Sequence, residues 1–222
     1  MKQHQLLQLY VEVIAKGLTN SLIVQSPAGY GKSETTFKAL KMLGLQKGVN
    51  YVWESGYLTP KGLLNALRRV NLISSPRILV LDDIEDTLKN LQTIGLLKSA
   101  LWEIDGTRKV FWQTNREHIE FEFKGRIIFL LNKINENNPI VKALIDRSLY
   151  YQMDLTKDEM INLMREKIRE FNELTYQQQQ KIMKFIVKVG GENISLRKLP
   201  LAISLFKFSP NHYQELLNKL KI

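Results

Sequence analysis

Hydrophobic and polar positions follow two different periods along the chain, and the pattern changes near residue 155. Leu6, Leu7, Tyr10, Val11, Val13 and Ile14 recur at helical spacing and predict a helix over 6–18 that stops near Gly17. Ser21–Gln25 (SLIVQ) has the length and apolarity of a buried strand. A glycine turn follows over 27–31, then a helical stretch over 33–43 with Gly44 at its end. Tyr51–Ser55 predicts a second strand, and Thr59 as N-cap with Pro60 behind it opens a helix over 61–70. Arg77–Leu81 (RILVL) is continuously apolar, as a strand buried on both faces of a parallel sheet must be. A helix is expected over 91–104. Lys109–Thr114 and Ile119–Phe123 alternate on either side of a polar turn, which predicts a β-hairpin. Gly125 precedes a further strand over 126–131, Pro139 opens a helix to about Arg147, and 150–155 reads as the last strand.

After Leu155 the period is helical throughout. Thr156 and Glu159 form a capping box for a helix to about Phe171. Helices are also expected over 176–189, ended by Gly190 and Gly191, and over 195–208 and 211–222. The expectation is an α/β domain over 1–155 with a mostly parallel sheet and a hairpin insertion near 108–124, followed by an all-helical domain over 156–222.

Composition narrows the class. With 44% hydrophobic residues among 222, the chain can bury a core. Its longest apolar runs, such as Ile127–Leu131, fall far short of the ~20 residues a membrane helix needs. The N-terminal MKQHQLLQLYVEV breaks its apolar positions with Gln and Glu, unlike a signal peptide. The expected setting is therefore soluble and cytoplasmic, without a membrane partner. Zero Cys and three His exclude a disulfide scaffold, a thiol nucleophile and nearly every structural zinc site. A net charge of +10 favours a polyanion, nucleic acid first. Residues 156–222 hold twelve basic and seven acidic residues, so the excess is spread over both parts.

Two segments carry chemistry. Residues 26–33 read Ser-Pro-Ala-Gly-Tyr-Gly-Lys-Ser, matching the phosphate-loop pattern G-x-x-x-x-G-K-[ST] except that Ser26 stands for the first glycine. Gly29 and Gly31 free the loop to aim backbone N–H groups at a β-phosphate. Lys32 supplies a charge for the β- and γ-phosphates, Ser33 a hydroxyl for Mg²⁺, and the helix starting there a favourable dipole. The expected ATP contacts are Ser26, Pro27, Ala28, Gly29, Tyr30, Gly31, Lys32, Ser33 and Glu34. About fifty residues on, RILVLDDIE ends an apolar strand in carboxylates. In a parallel sheet that end lies beside the phosphate loop. Asp82 would join Ser33 in holding Mg²⁺, and Asp83 would polarise the attacking water, with Glu85 the alternative for that role.

These motifs, their order and the helical C-terminal part resemble the AAA+ ATPases over nearly the whole chain. The Asp-Asp-Ile form is similar to that of replication initiators and helicase loaders, and FEFKGRIIFLLNK with ALIDRS resembles AAA+ proteins of phages and mobile elements. The resemblance implies a P-loop NTPase core with a parallel five-stranded sheet and a C-terminal helical lid, using ATP and Mg²⁺. It implies that Asn132 is the sensor that orients the lytic water, with Asn115 as a rival. Arg147 takes the place of the arginine finger that reaches a neighbouring subunit's γ-phosphate, and Arg197 that of the lid sensor. The partners implied are further copies of the chain in a hexamer-like ring or open spiral, DNA, and a replication protein. Lys109, Arg116 and Lys124 on the hairpin are candidate DNA contacts, with Phe111, Phe121 and Phe123 read as packing residues. Two other readings stay open: a protein-remodelling adaptor, for which Gly56-Tyr57-Leu58 would be a peptide-gripping loop, and a degenerate ATPase that only binds nucleotide.

Overall fold

The computed structural model describes residues 2–191 and 194–219. The chain divides into two compact units, one of residues 1–27 and 32–153, the other of residues 28–31 and 154–222. The break near 153 falls where the hydrophobic period changes. The transfer of four phosphate-loop residues to the second unit was not foreseen.

The first unit is built on five parallel strands, β1 (Ser21–Gln25), β2 (Tyr51–Ser55), β3 (Ile78–Asp82), β6 (Arg126–Leu131) and β7 (Leu149–Gln152), in the order β2-β3-β6-β1-β7. Side chains alternate across each strand. Ile23, Leu79, Leu81, Ile127, Phe129 and Leu131 share one core with α3 (Pro60–Leu72), α4 (Leu91–Leu101) and α5 (Pro139–Ile145). The intervening Leu22, Val24, Ile78, Val80, Ile128 and Leu130 are buried toward the other face. There α1 (Gln3–Ala15) packs against β1, β6 and α2 (Lys32–Met42). Coverage of both faces is what makes these strands uniformly apolar. Thr59 caps α3 as expected, its side chain accepting from the Gly62 N–H at 3.1 Å.

The sheet order places the site. β6 lies between β1 and β3, in register so that Leu130 faces Asp82 and Leu131 faces Gln25. The C-terminal ends of all three strands therefore meet at one edge. The phosphate loop leaves β1 there, the acidic segment leaves β3, and Asn132 follows β6 directly.

Several elements differ from expectation at their ends. α1 begins at Gln3 and stops at Ala15, while α4 ends at Leu101 with Trp102 as its C-cap, because a tight turn through Gly106 (φ 74°) takes over. β7 is only four residues long. β4 (Lys109–Gln113) and β5 (His118–Glu122) form the hairpin as a separate two-stranded sheet. Its inner face is Val110, Trp112, Ile119 and Phe121, which corrects one expectation: Phe111, one residue out of phase, is 52% exposed. Phe123 beyond the hairpin is buried as expected.

The second unit packs α6 (Lys157–Ile168), α7 (Tyr176–Gly190), α8 (Lys198–Phe208) and α9 (Tyr213–Lys219) around a core that includes Met164, Ile182, Ala202 and Tyr213. Capping boxes open two of them: Thr156 with Glu159 as expected, and Thr175 with Gln178, which was missed. The helix expected over 195–208 starts three residues late, and positions 220–222 of the last one lie outside the described residues. No helix among the described residues is long and apolar enough to cross a membrane.

Candidate functional site

Six side chains of the first unit converge at the shared strand edge. Lys32, first residue of α2, is 4% exposed. Its Nζ donates to Asn132 Oδ1 at 2.5 Å and lies 3.6 Å from Asp83 Oδ1. Asn132 Nδ2 donates to Asp83 Oδ1 at 2.7 Å. The Asn132 backbone N–H donates to Glu85 Oε1. The Ser33 hydroxyl donates to Asp82 Oδ1 at 2.9 Å. Lysine, amide and carboxylates separated by up to a hundred residues thus form one network.

Burial is the main influence on Asp82, whose carboxyl group sits above the usual carboxylate range. The neighbouring Asp83 charge adds to the effect, while the Ser33 hydroxyl and the Lys32 ammonium oppose it. A cation beside it would offset the burial penalty on the charged carboxylate. The donor set, one hydroxyl and one carboxylate, fits Mg²⁺, which takes few protein oxygens and completes its shell with water and phosphate oxygens.

Asp83 turns the chain out of β3 in the left-handed region (φ 54°), and its N–H is held by the Leu130 carbonyl at 2.9 Å. That turn brings Asp83 to Asn132 and sends Glu85 to the Asn132 backbone. The two acids that the sequence left as alternatives therefore have different surroundings. Asp83 is exposed and shares its oxygen with Asn132 and Lys32. Glu85 is half-buried and bound to main chain.

The loop itself is split. Ser26 is buried, its N–H held by the Leu131 carbonyl at 3.0 Å. It is absent from the positive-φ residues, so this backbone does not require the glycine it replaces. Gly29 and Gly31 do have positive φ, 82° and 85°. In the second unit the Leu196 N–H donates to the Gly29 carbonyl at 3.0 Å, and Tyr30 packs on the helical core. A Cβ at Gly29 would come within 2.8 Å of Ser195 Cβ and 3.6 Å of Arg197 Cγ. Glycine is thus needed at position 29 twice, for φ and for space. Arg197 is exposed as the residue capping α8. Glu34 is exposed and pairs with Lys38 at 3.0 Å.

Arg147 lies at the opposite edge of the sheet from Lys32. Its carbonyl accepts from the hydroxyl of Ser21, first residue of β1, at 3.0 Å. The strand alone puts about 13 Å between Ser21 and Gln25 at ~3.3 Å per residue. Asn115 lies in the hairpin turn, exposed, and takes no part in the Lys32 network. Arg116 is exposed in the same turn. Lys109 and Lys124 are 3.4 Å from Glu120 and 3.5 Å from Glu122, and Glu117 pairs with Lys61. The hairpin is therefore close to charge-balanced. The Glu85 anchor and the Leu196–Gly29 bond had no signal in the sequence, since neither residue pair belongs to a spacing pattern.

No protein-family model matches the chain. An uncharacterised 36.7 kDa protein from the nrdC–mobD intergenic region of Enterobacteria phage T4 is 29% identical over 175 residues, covering 72% of this chain and 53% of the phage protein. The chain thus spans about half the length of that relative. Among solved structures, a DNA replication initiation factor aligns with TM-score 0.52 and 14% identity over 96% of this chain and 62% of its own. A Thermotoga maritima RuvB variant aligns with TM-score 0.62 and 14% identity over 96% and 67%. Another RuvB variant gives 0.61 and 13% over 96% and 66%. The chain shares the AAA+ fold of these structures, a five-stranded parallel sheet flanked by helices and followed by a helical C-terminal region.

Proposed function

We propose that the protein is an oligomeric Mg²⁺-dependent ATPase whose hydrolysis, completed between copies, drives an action on DNA in replication or mobile-element maintenance. The observation that carries this reading is the buried Lys32 ammonium, bound to Asn132 and close to Asp83, beside the Ser33–Asp82 pair.

An ammonium has three protons, and phosphate oxygens compete for those now directed at Asn132 and Asp83. When Lys32 turns to the β- and γ-phosphates, Asp83 and the Asn132 amide are left facing the space where water approaches. Asp83 orients that water, Asn132 fixes its direction, and Glu85 holds the Asn132 backbone in place. The water oxygen forms a bond to the γ-phosphorus as the bond to the β,γ-bridging oxygen breaks, giving ADP and phosphate. Mg²⁺ held by Ser33 and Asp82 would neutralise developing charge on the phosphates. Arg147 sits too far along β1 to serve its own site, which suits a role at the site of an adjoining copy. A finger supplied in trans can be worth ~10³ or more in rate. Arg197 serves as the lid's contact with nucleotide.

The replication initiation factor and RuvB among the structural neighbours support a DNA role. The net charge of +10 does too. The test is ATP turnover measured against protein concentration, with and without single- and double-stranded DNA. Turnover should rise with assembly and with DNA, and the DNA effect should shrink with salt. Turnover indifferent to both DNA forms would instead favour a protein-remodelling adaptor. The paired lysines of the hairpin and the 63% exposed Tyr57 after β2 favour that second reading.

A further inference from the structure

Arg147 is held from three sides. Its carbonyl is bound by Ser21 Oγ, its Nη1 donates to the Ala143 carbonyl at 2.5 Å, and its guanidinium carbon lies 5.7 Å from the centroid of the Trp102 ring. Trp102 is itself fixed as the C-cap of α4, its N–H donating to the Lys98 carbonyl at 2.9 Å. Yet 56% of this large apolar residue is exposed. Ile104 and Phe111, equally exposed, line a surface cavity of about 500 Å³ with it. No core requirement accounts for an indole in this place.

The contact between the two residues has a chemical consequence. A carboxylate would occupy the N–H edge of the guanidinium and neutralise it. An aromatic ring engages the face and leaves the edge free. Of five guanidinium N–H groups, one goes to Ala143, and among the described residues no ion pair to Arg147 exists. The cation is thereby held against the ring with N–H groups left over for a phosphate.

We propose that Trp102 is a positioning residue for Arg147: it holds the guanidinium beside the indole so that the N–H groups not bound to Ala143 are presented to the triphosphate of a second copy of this chain. The proposal rests on the reading of Arg147 given above. It also places the indole at the junction with that copy.

The test uses the full chain with Trp102→Leu, Trp102→Phe, Arg147→Ala and the Trp102→Leu/Arg147→Ala double variant. ATP turnover is read across protein concentrations, and affinity by titration of a fluorescent ATP analogue. Trp102→Leu should lower kcat at least tenfold with nucleotide affinity within twofold of the original. Trp102→Phe, which keeps an aromatic face, should restore most of the rate. The double variant should be no slower than Arg147→Ala alone, because the two residues act as one unit. The proposal is overturned if Trp102→Leu turns over within twofold of the unmodified protein. It is overturned equally if leucine and phenylalanine behave alike, or if Trp102→Leu slows the Arg147→Ala background by the same factor. Should the leucine variant not fold, the phenylalanine and Trp102→Met variants decide: methionine, which lacks an aromatic face, is expected to turn over at least fivefold more slowly than phenylalanine, and equal rates overturn the proposal. An inactive Arg147→Ala beside an unimpaired Trp102→Leu would remove this proposal alone, whereas an unimpaired Arg147→Ala would remove the finger as well.

Discussion

On the proposed reading, replacing Asn132 with alanine separates nucleotide binding from chemistry. The side chain bridges Lys32 and Asp83, at 2.5 and 2.7 Å. Without it the ammonium keeps Asp83, 3.6 Å away in the unmodified protein, as its partner. At that distance two unit charges attract by about 5 kcal/mol at an effective dielectric of 20. Asp83 is 44% exposed, however, and solvent reduces such pairs to ~1 kcal/mol or less. On the proposed reading ATP displaces Lys32 from this contact in both forms, so affinity should change by no more than about fivefold. The chemical step loses a fixed dipole directed at the reacting water, an effect of roughly 10²–10³ in rate. Titration with a fluorescent ATP analogue and single-turnover hydrolysis at saturating ATP measure the two quantities separately. Lys32→Ala, which removes the phosphate-binding charge, should lose affinity in the first assay. The reasoning fails if Asn132→Ala hydrolyses within threefold of the unmodified rate, or if it loses as much affinity as Lys32→Ala and recovers full rate once saturated.

Further substitutions probe the neighbours. Glu85→Gln retains a side-chain acceptor for the Asn132 N–H and should keep turnover within a few-fold, whereas Asp83→Asn should lose about 10² or more; single-turnover rates in the opposite order would exchange the two roles. Gly29→Ala adds a Cβ within 2.8 Å of Ser195 Cβ at a φ of 82°, so analogue titration should show at least tenfold weaker binding; unaltered affinity would show that the loop adjusts freely. Arg108→Ala removes a buried guanidinium, bound to the Ala100 carbonyl at 3.2 Å and stacked 5.4 Å from the Phe123 ring centroid. It should cost about 2 kcal/mol, or about 4–8 °C in thermal denaturation, while Arg108→Met should recover part of that through its stem; an unchanged melting curve for the alanine variant would refute this account.

What the sequence made legible follows from how local each signal is. Strand positions over 21–25, 51–55 and 126–131 needed only apolar runs bounded by turn residues, and the helix starts at Pro60 and Lys157 needed only a threonine cap. The loop over 26–33 and the acids after β3 were legible because they match patterns of fixed spacing. The network joining them was hidden because it depends on β6 lying between β1 and β3, and strand order is not a local property. Asn132 was legible only as the polar residue ending a strand, while its partners Lys32, Asp83 and Glu85 emerge from that order. The phase of the hairpin was misread at Phe111 because β4 and β5 are each amphipathic, and a choice between alternate residues rests on which face meets the body of the protein.

The same distinction bears on the DNA reading. A net charge of +10 is a property of the whole chain, but binding to a phosphate backbone depends on where unpaired cations lie. On the hairpin, Lys109 and Lys124 each sit beside a glutamate, so that element adds little to an electrostatic field despite its sequence. If the hairpin were nonetheless the DNA contact, removing Glu120 and Glu122 would unmask those lysines and steepen the salt dependence of DNA-stimulated turnover. If DNA runs elsewhere, the charge that matters belongs to other surfaces of the chain, and neutralising the hairpin lysines would leave that dependence unchanged. The charge count alone therefore favours DNA without choosing a path for it; the slope against salt, measured on hairpin variants, is the quantity that does.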